Sequence, residues 1–230
     1  KEWVECMASA HHEAILQGTL SPFTPALAPY LENLPPALAA QYLASPQTPY
    51  RVILEGRMEK VWHQPCWLKP FFYPLAWAEI LFPETGEDIP AQMIVTGVRD
   101  KQGYAAQTWY RTFAFPHERR FNALMAYDPV HECVVERLGP FHMIWMAWEI
   151  NFHPPDTVEI KTTGCSLHIG RLRVQLPALL YPQVQAVERA IPWRDDQIDI
   201  TLSVSHPWLG TLFGYNGTFT LRRDPITVTS

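Results

Sequence analysis

From residue 51 onward, hydrophobic and polar residues alternate with a period of two, which is typical of strands with one buried face. In residues 51–62 one face carries Val52, Leu54, Gly56, Met58 and Trp62, and the other carries Glu55, Arg57 and Glu59. Similar segments follow at about 91–99, 104–115, 120–127, 132–137, 143–152, 157–168, 171–175, 184–190, 197–205 and 212–222. The pattern therefore predicts ten or so consecutive strands without a long helix between them.

Consecutive strands of this kind pair antiparallel in a meander, and such a sheet must close or stack to hide its edges. We therefore predict a mainly β fold whose meander is closed or strongly curved into a barrel-like (calycin-like) domain. The 65–83 segment is expected to act as its lid or plug. A curved sheet wrapped on helices is the alternative. A wide barrel has room for a ligand between its side chains.

Residues 1–48 follow a different pattern, in which helical spacing is interrupted by prolines. We predict a helix near 4–17, then an irregular stretch, then a short helix at 35–44 that Pro35 and Pro36 open. The chain thus divides into an N-terminal helical, proline-rich extension (1–48) and a β-rich barrel-like domain (49–230).

Composition excludes several classes of protein. The 230 residues are 47% hydrophobic and 18% charged with a formal net charge of −5, as in a soluble globular protein. Basic residues are scattered, which disfavours nucleic-acid binding. The longest apolar stretch, 68–82, contains Lys69, Pro70, Pro74 and Glu79, so no transmembrane segment is predicted. Four cysteines without a CxxC pair, and no recognisable signal peptide, favour reduced thiols in the cytoplasm.

Two predicted strands each combine a large aromatic residue and a charge on a single face. Trp109 and Arg111 share one face of the first, and Trp145 and Glu149 share one face of the second. If both faces look inward, Arg111 and Glu149 form a buried ion pair, because a lone buried charge is costly. Arg111 would then hold a ligand oxygen, and Glu149 would act as acid or base with Tyr110 or Tyr215. The competing interpretation is a structural pair or two outward-facing charges.

The aromatic content, 13% with 9 tryptophans, is high for a plain core and favours a cavity for apolar ligands. A large aromatic core with surface tryptophans would have the same composition. The candidate ligand-binding residues are Met58, Trp62, Phe72, Trp77, Trp109, Phe113 and Trp145.

Motifs for metals, nucleophiles and nucleotides are weak. The nine histidines show neither HxH nor HExxH spacing, and no GxSxG, GxGxxG or P-loop occurs. Asp128, His131 and Glu132 place three possible ligands within five residues, but a solvated turn is the simpler interpretation. Cys165 and His168 fall on opposite faces of one strand, which disfavours a dyad. No cofactor and no metal are predicted.

Several stretches resemble the domain of unknown function 4166 family, over about residues 34–222. The most specific are Trp109-x-Arg111-x-Phe113, Leu176-Pro177-x-x-Leu180-x-Pro182, and Leu209-Gly210 leading to Tyr215-x-Gly217. The resemblance implies bacterial origin and a domain found alone or appended to dehydrogenase-like proteins. It implies no established reaction, so no catalytic residue is carried over.

Three functional hypotheses remain. The first is a cofactor-independent cyclase or isomerase that binds a hydrophobic small molecule (polyketide, terpenoid or lipid-like) and moves a proton. The second is a non-catalytic carrier of such ligands. The third is an accessory domain whose 68–82 segment docks on a protein partner or membrane surface. A homodimer is compatible with each of them.

Overall fold

A computed structural model describes residues 13–15, 17–64, 66–139 and 142–226, and in this part of the chain the fold is mainly β. The described residues form eleven strands, close to the predicted segments. They are β1 (Tyr50–His63), β2 (Gly86–Arg99), β3 (Ala105–Phe113), β4 (Arg119–Asp128), β5 (Cys133–Leu138), β6 (Ile144–His153), β7 (Thr157–Ile169), β8 (Leu172–Gln175), β9 (Gln183–Ala190), β10 (Gln197–His206) and β11 (Gly210–Pro225).

The sheet closes into an antiparallel barrel of ten strands. Strands β6 to β1 follow one another in reverse order, then β11, β10, β9 and β7, and β6 pairs with β7 to complete the ring. Strand β8 pairs only with the end of β7 and stays outside the closure. The predicted mainly β, closed barrel is therefore confirmed, and closure removes the exposed edges that an open meander would present.

One end of the barrel, here called the lid end, is covered by the connection between β1 and β2. This connection contains a 3₁₀ turn (Cys66–Leu68) and helix α3 (Lys69–Trp77). Phe82 has no exposed surface, and its ring centroid lies 4.9 Å from that of Phe113 and 5.1 Å from that of Phe213. The connection thus occupies the position expected of a lid or plug.

The opposite end is filled by the segment before β1, with helices α1 (Thr24–Leu27) and α2 (Pro36–Tyr42). The Tyr42 ring packs 5.1 Å from Phe23 and 5.9 Å from Trp109, so α2 reaches into the barrel. Helix α2 matches the short helix predicted at 35–44. The helix predicted near 4–17 lies mostly outside the described residues, although 13–15 are helical. The division at residue 48 stays a prediction.

A register shift in β1 changes which side chains face inward. Between Met58 and Lys60 the pairing with β11 skips one residue, so Val61 rather than Trp62 is buried in the interior. Trp62 lies on the outer face over Gly214, where an added Cβ would come within 2.5 Å of the indole ring. The expectation that Trp62 shares a face with Met58 is therefore wrong, because a bulge reverses the alternation beyond it.

Candidate functional site: a polar cluster inside the barrel

The barrel encloses a cavity of about 80 Å³ with a mainly apolar wall. Aromatic and sulfur-containing side chains, among them Trp109, Phe121 and Met146, form much of the wall, and Ile80 and Leu81 of the lid segment also line it. The wall contains three charged side chains, which belong to Arg111, Glu136 and Glu188. All three are buried.

Strand alternation places these three charges inside. On β3, Arg111 lies between Trp109 and Phe113, which are both buried. On β5, Glu136 follows Val134 and precedes Leu138 on the buried face. Successive residues of a strand point to opposite faces, so a charge in register with apolar neighbours is carried inward with them. Alternation along β9 places the side chain of Glu188 inside the barrel in the same way.

Arg111 is held by aromatic rings more than by hydrogen bonds. Its guanidinium carbon lies 5.0 Å from the Trp109 ring centroid and 4.6 Å from that of Phe121. Its Nη1 atom is 3.8 Å from Glu136 Oε1, an ion pair beyond hydrogen-bond distance. That Nη1 is buried and has no hydrogen-bond partner among the described residues. The guanidinium therefore keeps an unused donor at the cavity wall.

Glu188 is anchored to the N-terminal segment. Gln41 Nε2 donates a 2.7 Å hydrogen bond to Glu188 Oε2, and the Tyr42 hydroxyl lies beside the same carboxyl group. Burial raises the pKa of Glu188, and the Tyr42 hydroxyl, Arg111 and Gln41 oppose this effect. Because its polar contacts come from α2, Glu188 is suited to joining that helix to the barrel.

Glu136 is an interior acid whose pKa lies close to neutrality. Burial raises its pKa from 4.5 to about 7, and the positive charge of Arg111 lowers it only in part. Near pH 7 the side chain is thus present in both protonated and ionised forms. A group of this kind can give or take a proton without a large penalty in either direction.

Two further side chains extend the polar character of the wall. Trp148 Nε1 is buried and, in the described part of the chain, lacks a hydrogen-bond acceptor. Burial raises the pKa of Tyr215 to about 12, so its hydroxyl stays protonated at neutral pH. Both residues line the same cavity as Arg111 and Glu136. The wall therefore offers donors from Arg111 and Trp148, and a proton-exchanging carboxyl group.

A family model described as "Domain of unknown function (DUF4166)" matches residues 34–219, which include the whole polar cluster. The chain belongs to this family. It is also similar to the "Uncharacterized protein YndH" of Bacillus subtilis (strain 168), with 29% identity over 139 residues, or 60% of this chain and 67% of YndH. No solved structure matches. The family resemblance that the motifs indicated is confirmed, and neither the description of the family nor the name of YndH states a reaction.

In this DUF4166 domain, six of the predicted site residues are buried. Trp109, Arg111 and Tyr215 line the main cavity. Met58 and Phe113 line a smaller void of about 10 Å³ beside it. Phe72 is buried on the underside of the lid, with its ring centroid 5.7 Å from that of His63. Whether these residues bind a ligand stays a prediction.

The predicted pair of Arg111 with Glu149 is wrong. Glu149 is exposed on the outer face of β6, where its Oε1 accepts a 3.1 Å hydrogen bond from Asn151. The opposite face of β6, with Met146, Trp148, Ile150 and Phe152, is the buried one, since it removes more apolar surface from water. Glu149 is therefore outside the cavity, and Glu136 is the residue that pairs with Arg111.

The remaining predicted residues also lie outside the main cavity. Tyr110 is exposed on the outer face of β3, and Trp77 is exposed at the end of α3. Trp145 lies on the outer face of β6, stacked on His168 at 4.0 Å between ring centroids and covered by Arg137 at 4.3 Å. Trp62 is outside because of the bulge in β1. None of these four lines the cavity that contains Arg111.

Glu136 and Glu188 were not among the predicted residues, although the sequence contains a signal for both. Each glutamate is the centre of a Val-Glu-Arg triplet, at 135–137 and at 187–189. In both, the period of two places the glutamate in line with apolar residues and the arginine on the other face. A search for acidic residues in register with apolar neighbours would have found both.

Metal and thiol chemistry find little support in the described residues. No cluster of three or more His, Cys, Asp or Glu side chains is close enough there to hold a metal ion. Burial raises the pKa of the Cys133 and Cys165 thiols to about 11, so neither is a thiolate at neutral pH. No described helix is long and apolar enough to cross a membrane.

Proposed function

We propose that the barrel interior binds a small molecule with a largely apolar body and one polar oxygen, and that Glu136 exchanges a proton with it. One observation carries this proposal. In the described part of the chain, Arg111 Nη1 and Trp148 Nε1 are buried donors without partners, and both residues border the cavity that Glu136 lines. A carbonyl or carboxylate group bound in the cavity would supply the acceptors that these donors lack.

The energetic argument starts from the cost of the unused donors. A buried donor without a partner costs about 1–3 kcal/mol, more when it is charged. A ligand that accepts hydrogen bonds from these donors recovers this free energy, whereas an alkane of the same size does not. The site therefore favours apolar molecules that carry a carbonyl or carboxylate group over pure hydrocarbons.

The size of the cavity restricts the ligand further. A volume of about 80 Å³ accepts a compact molecule, or the polar end of a longer one that extends past Ile80 and Leu81 at the lid. Polyketide, terpenoid and lipid-like compounds with one oxygenated end have this form. The aromatic wall supplies shape and excludes water, both of which strengthen the polar contacts inside.

The proton chemistry follows from the position of Glu136. A carbonyl oxygen held by Arg111 is polarised, which acidifies the C–H bonds on the adjacent carbon. Glu136, with a pKa of about 7, can remove such a proton and return it elsewhere on the ligand. The reaction class is a cofactor-independent isomerisation or cyclisation. A passive carrier needs the apolar wall and the donors, but not this acid.

The first experiment tests binding by native mass spectrometry of the full chain, which detects small molecules retained on purification. Arg111→Met and Trp148→Phe should each lower the retained fraction at least tenfold, because each removes one donor. Glu149→Gln is the matched control, since this carboxyl group is exposed on the outside. Equal retention by all four proteins would contradict the proposed site.

The second experiment separates catalysis from transport. The retained compound is incubated in D₂O with wild-type protein or with Glu136→Gln, and deuterium incorporation is followed by mass spectrometry. An enzyme should incorporate deuterium beside the carbonyl group, and Glu136→Gln should abolish this while retaining the ligand. Retention without incorporation by the wild-type protein would identify a carrier and contradict the role of Glu136.

A further inference from the structure

The outer side of the lid helix α3 is apolar and exposed to solvent. Phe72 on the inner side is buried, whereas Phe71 is 65% exposed and Trp77 is 82% exposed. Trp67, just before the helix, and Tyr73 are also more than half exposed. A helix that is apolar all round is normally covered on every side. In α3, Phe72 is buried against the barrel, and the aromatic side chains on the opposite side of the helix face solvent.

Neighbouring connections extend this apolar surface along the lid end. Strand β1 pairs with β11, β11 with β10, and β10 with β9, so the connections β1–β2, β10–β11 and β8–β9 are adjacent around the barrel. Gln64 N, in the first of these, donates to Leu212 O near the start of β11. Trp208 is 67% exposed in the second, and Leu179 and Leu180 are exposed in the third. We call Trp67, Phe71, Trp77, Leu179, Leu180 and Trp208 the lid-end rim.

The basic side chains of these connections are unpaired in the described residues, whereas the acidic ones are paired. Residues 64–85, 170–182 and 207–209 contain the basic Lys69, Arg171 and Arg173 and the acidic Glu79 and Glu84. Glu84 is ion-paired with Arg119, and Glu79 and the nearby Glu118 are ion-paired with Arg120. The rim therefore combines exposed aromatic side chains with three basic side chains that have no carboxylate partner in the described part of the chain.

We propose that the lid-end rim docks the protein on the surface of a bilayer that contains anionic lipids. Tryptophan and tyrosine favour the interface between headgroups and acyl chains. Basic residues beside them are attracted to anionic headgroups, which supplies a second, independent contribution. A second copy of the chain fits less well, because a two-fold contact through the rim would bring Lys69 and Arg171 near the same charges of the partner.

This proposal is independent of the chemistry inside the cavity, because every rim side chain lies outside it. Vesicle sedimentation of the full chain tests it, with phosphatidylcholine vesicles compared with vesicles that also contain phosphatidylglycerol. We expect binding to the anionic vesicles that weakens as salt concentration rises. Phe71→Ser with Trp77→Ser should lower the partition coefficient more than tenfold. Lys69→Gln and Arg171→Gln should each lower it roughly fivefold, the equivalent of about 1 kcal/mol per charge.

Matched controls come from the opposite end of the barrel. Trp193 is 99% exposed in the β9–β10 connection, and Arg194 next to it is also exposed, so Trp193→Ser and Arg194→Gln should bind as the wild type does. All substituted side chains are exposed, so the unfolding curves of the variants and the wild type should coincide.

Absence of wild-type binding to anionic vesicles, or equal losses of binding in the rim and control variants, would overturn the proposal. So would a wild-type dimer, seen by sedimentation velocity, that Phe71→Ser with Trp77→Ser dissociates.

Discussion

Arg111 Nη1 and Glu136 Oε1 lie 3.8 Å apart inside the barrel, and a second carboxyl group, that of Glu188, lines the same cavity. The charge of one buried cation thus stabilises the ionised forms of two buried carboxyl groups. Burial raises the pKa of both acids, and for Glu136 the value is about 7. The charge of the interior therefore changes within the neutral pH range, and this has measurable consequences for stability and binding.

The first prediction concerns the pH dependence of folding. The folded protein binds the Glu136 proton more tightly than the unfolded chain, so this residue lowers stability as pH rises from about 4.5 to about 7. Between pH 5 and pH 8 its contribution to the unfolding free energy should fall by about 2 kcal/mol, since one unit of pKa corresponds to about 1.4 kcal/mol. Glu136→Gln should remove this part of the pH dependence. Urea unfolding at both pH values measures it.

Identical pH profiles of the unfolding free energy for wild type and Glu136→Gln would contradict the first prediction, because they would mean that the buried carboxyl group does not titrate in this range. Subtraction of the two profiles removes contributions from all other titrating groups, provided that they are unaffected by the substitution.

The second prediction concerns removal of the interior cation. Arg111→Met leaves Glu136 and Glu188 without a positive partner, so we expect a loss of about 3 kcal/mol at pH 8. The loss should be smaller at pH 5, because Glu136, with a pKa of about 7, is then mainly protonated and carries no charge that needs a partner. Arg57→Gln is the control, because Arg57 pairs with Asp88 on the surface and water screens that pair. Equal effects of the two substitutions would contradict a buried role for Arg111.

The third prediction tests how the N-terminal segment is joined to the barrel. Gln107 is fully buried, donates to the carbonyl groups of Tyr42 (3.0 Å) and Ala44 (2.7 Å), and accepts from Trp109 Nε1 at 2.9 Å. Gln107→Leu leaves Ala44 O and Trp109 Nε1 without these partners, while Tyr42 O keeps its bond from Ser21 Oγ, and should cost about 3 kcal/mol of unfolding free energy. Gln92→Leu, at a hydrogen bond on the outer surface, should have little effect. Chemical denaturation compares them.

The fourth prediction concerns Glu149. Because its side chain is exposed on the outer face of β6, Glu149→Gln should leave unfolding, ligand retention and deuterium exchange as in the wild-type protein. Loss of exchange in this variant, with Glu136→Gln still active, would return the acid–base role to Glu149 and contradict the arrangement inside the barrel.

Much of the fold could be predicted because strand formation leaves a local signal. Alternation in 104–115 and 197–205 identified β3 and β10, and an unbroken series of strands indicated a sheet that must close or stack to hide its edges. The same alternation placed Trp109, Arg111 and Phe113 on one face. The bulge in β1 could not be predicted from this alternation. The register shift after Met58 depends on pairing with β11 and does not alter the local pattern of residues 51–62.

The sequence by itself determined the strands and the presence of an arginine on an aromatic-rich face, since both depend on residues two apart in the chain. Closure of the barrel was decided by the pairing of β6 with β7. Only the tertiary structure decided the partner of that arginine. Glu136 comes from β5, and Glu188 comes from β9, where it is bonded to Gln41 across 147 residues. Such contacts are set by how the sheet curves and closes, and local periodicity contains no information about which distant faces will meet.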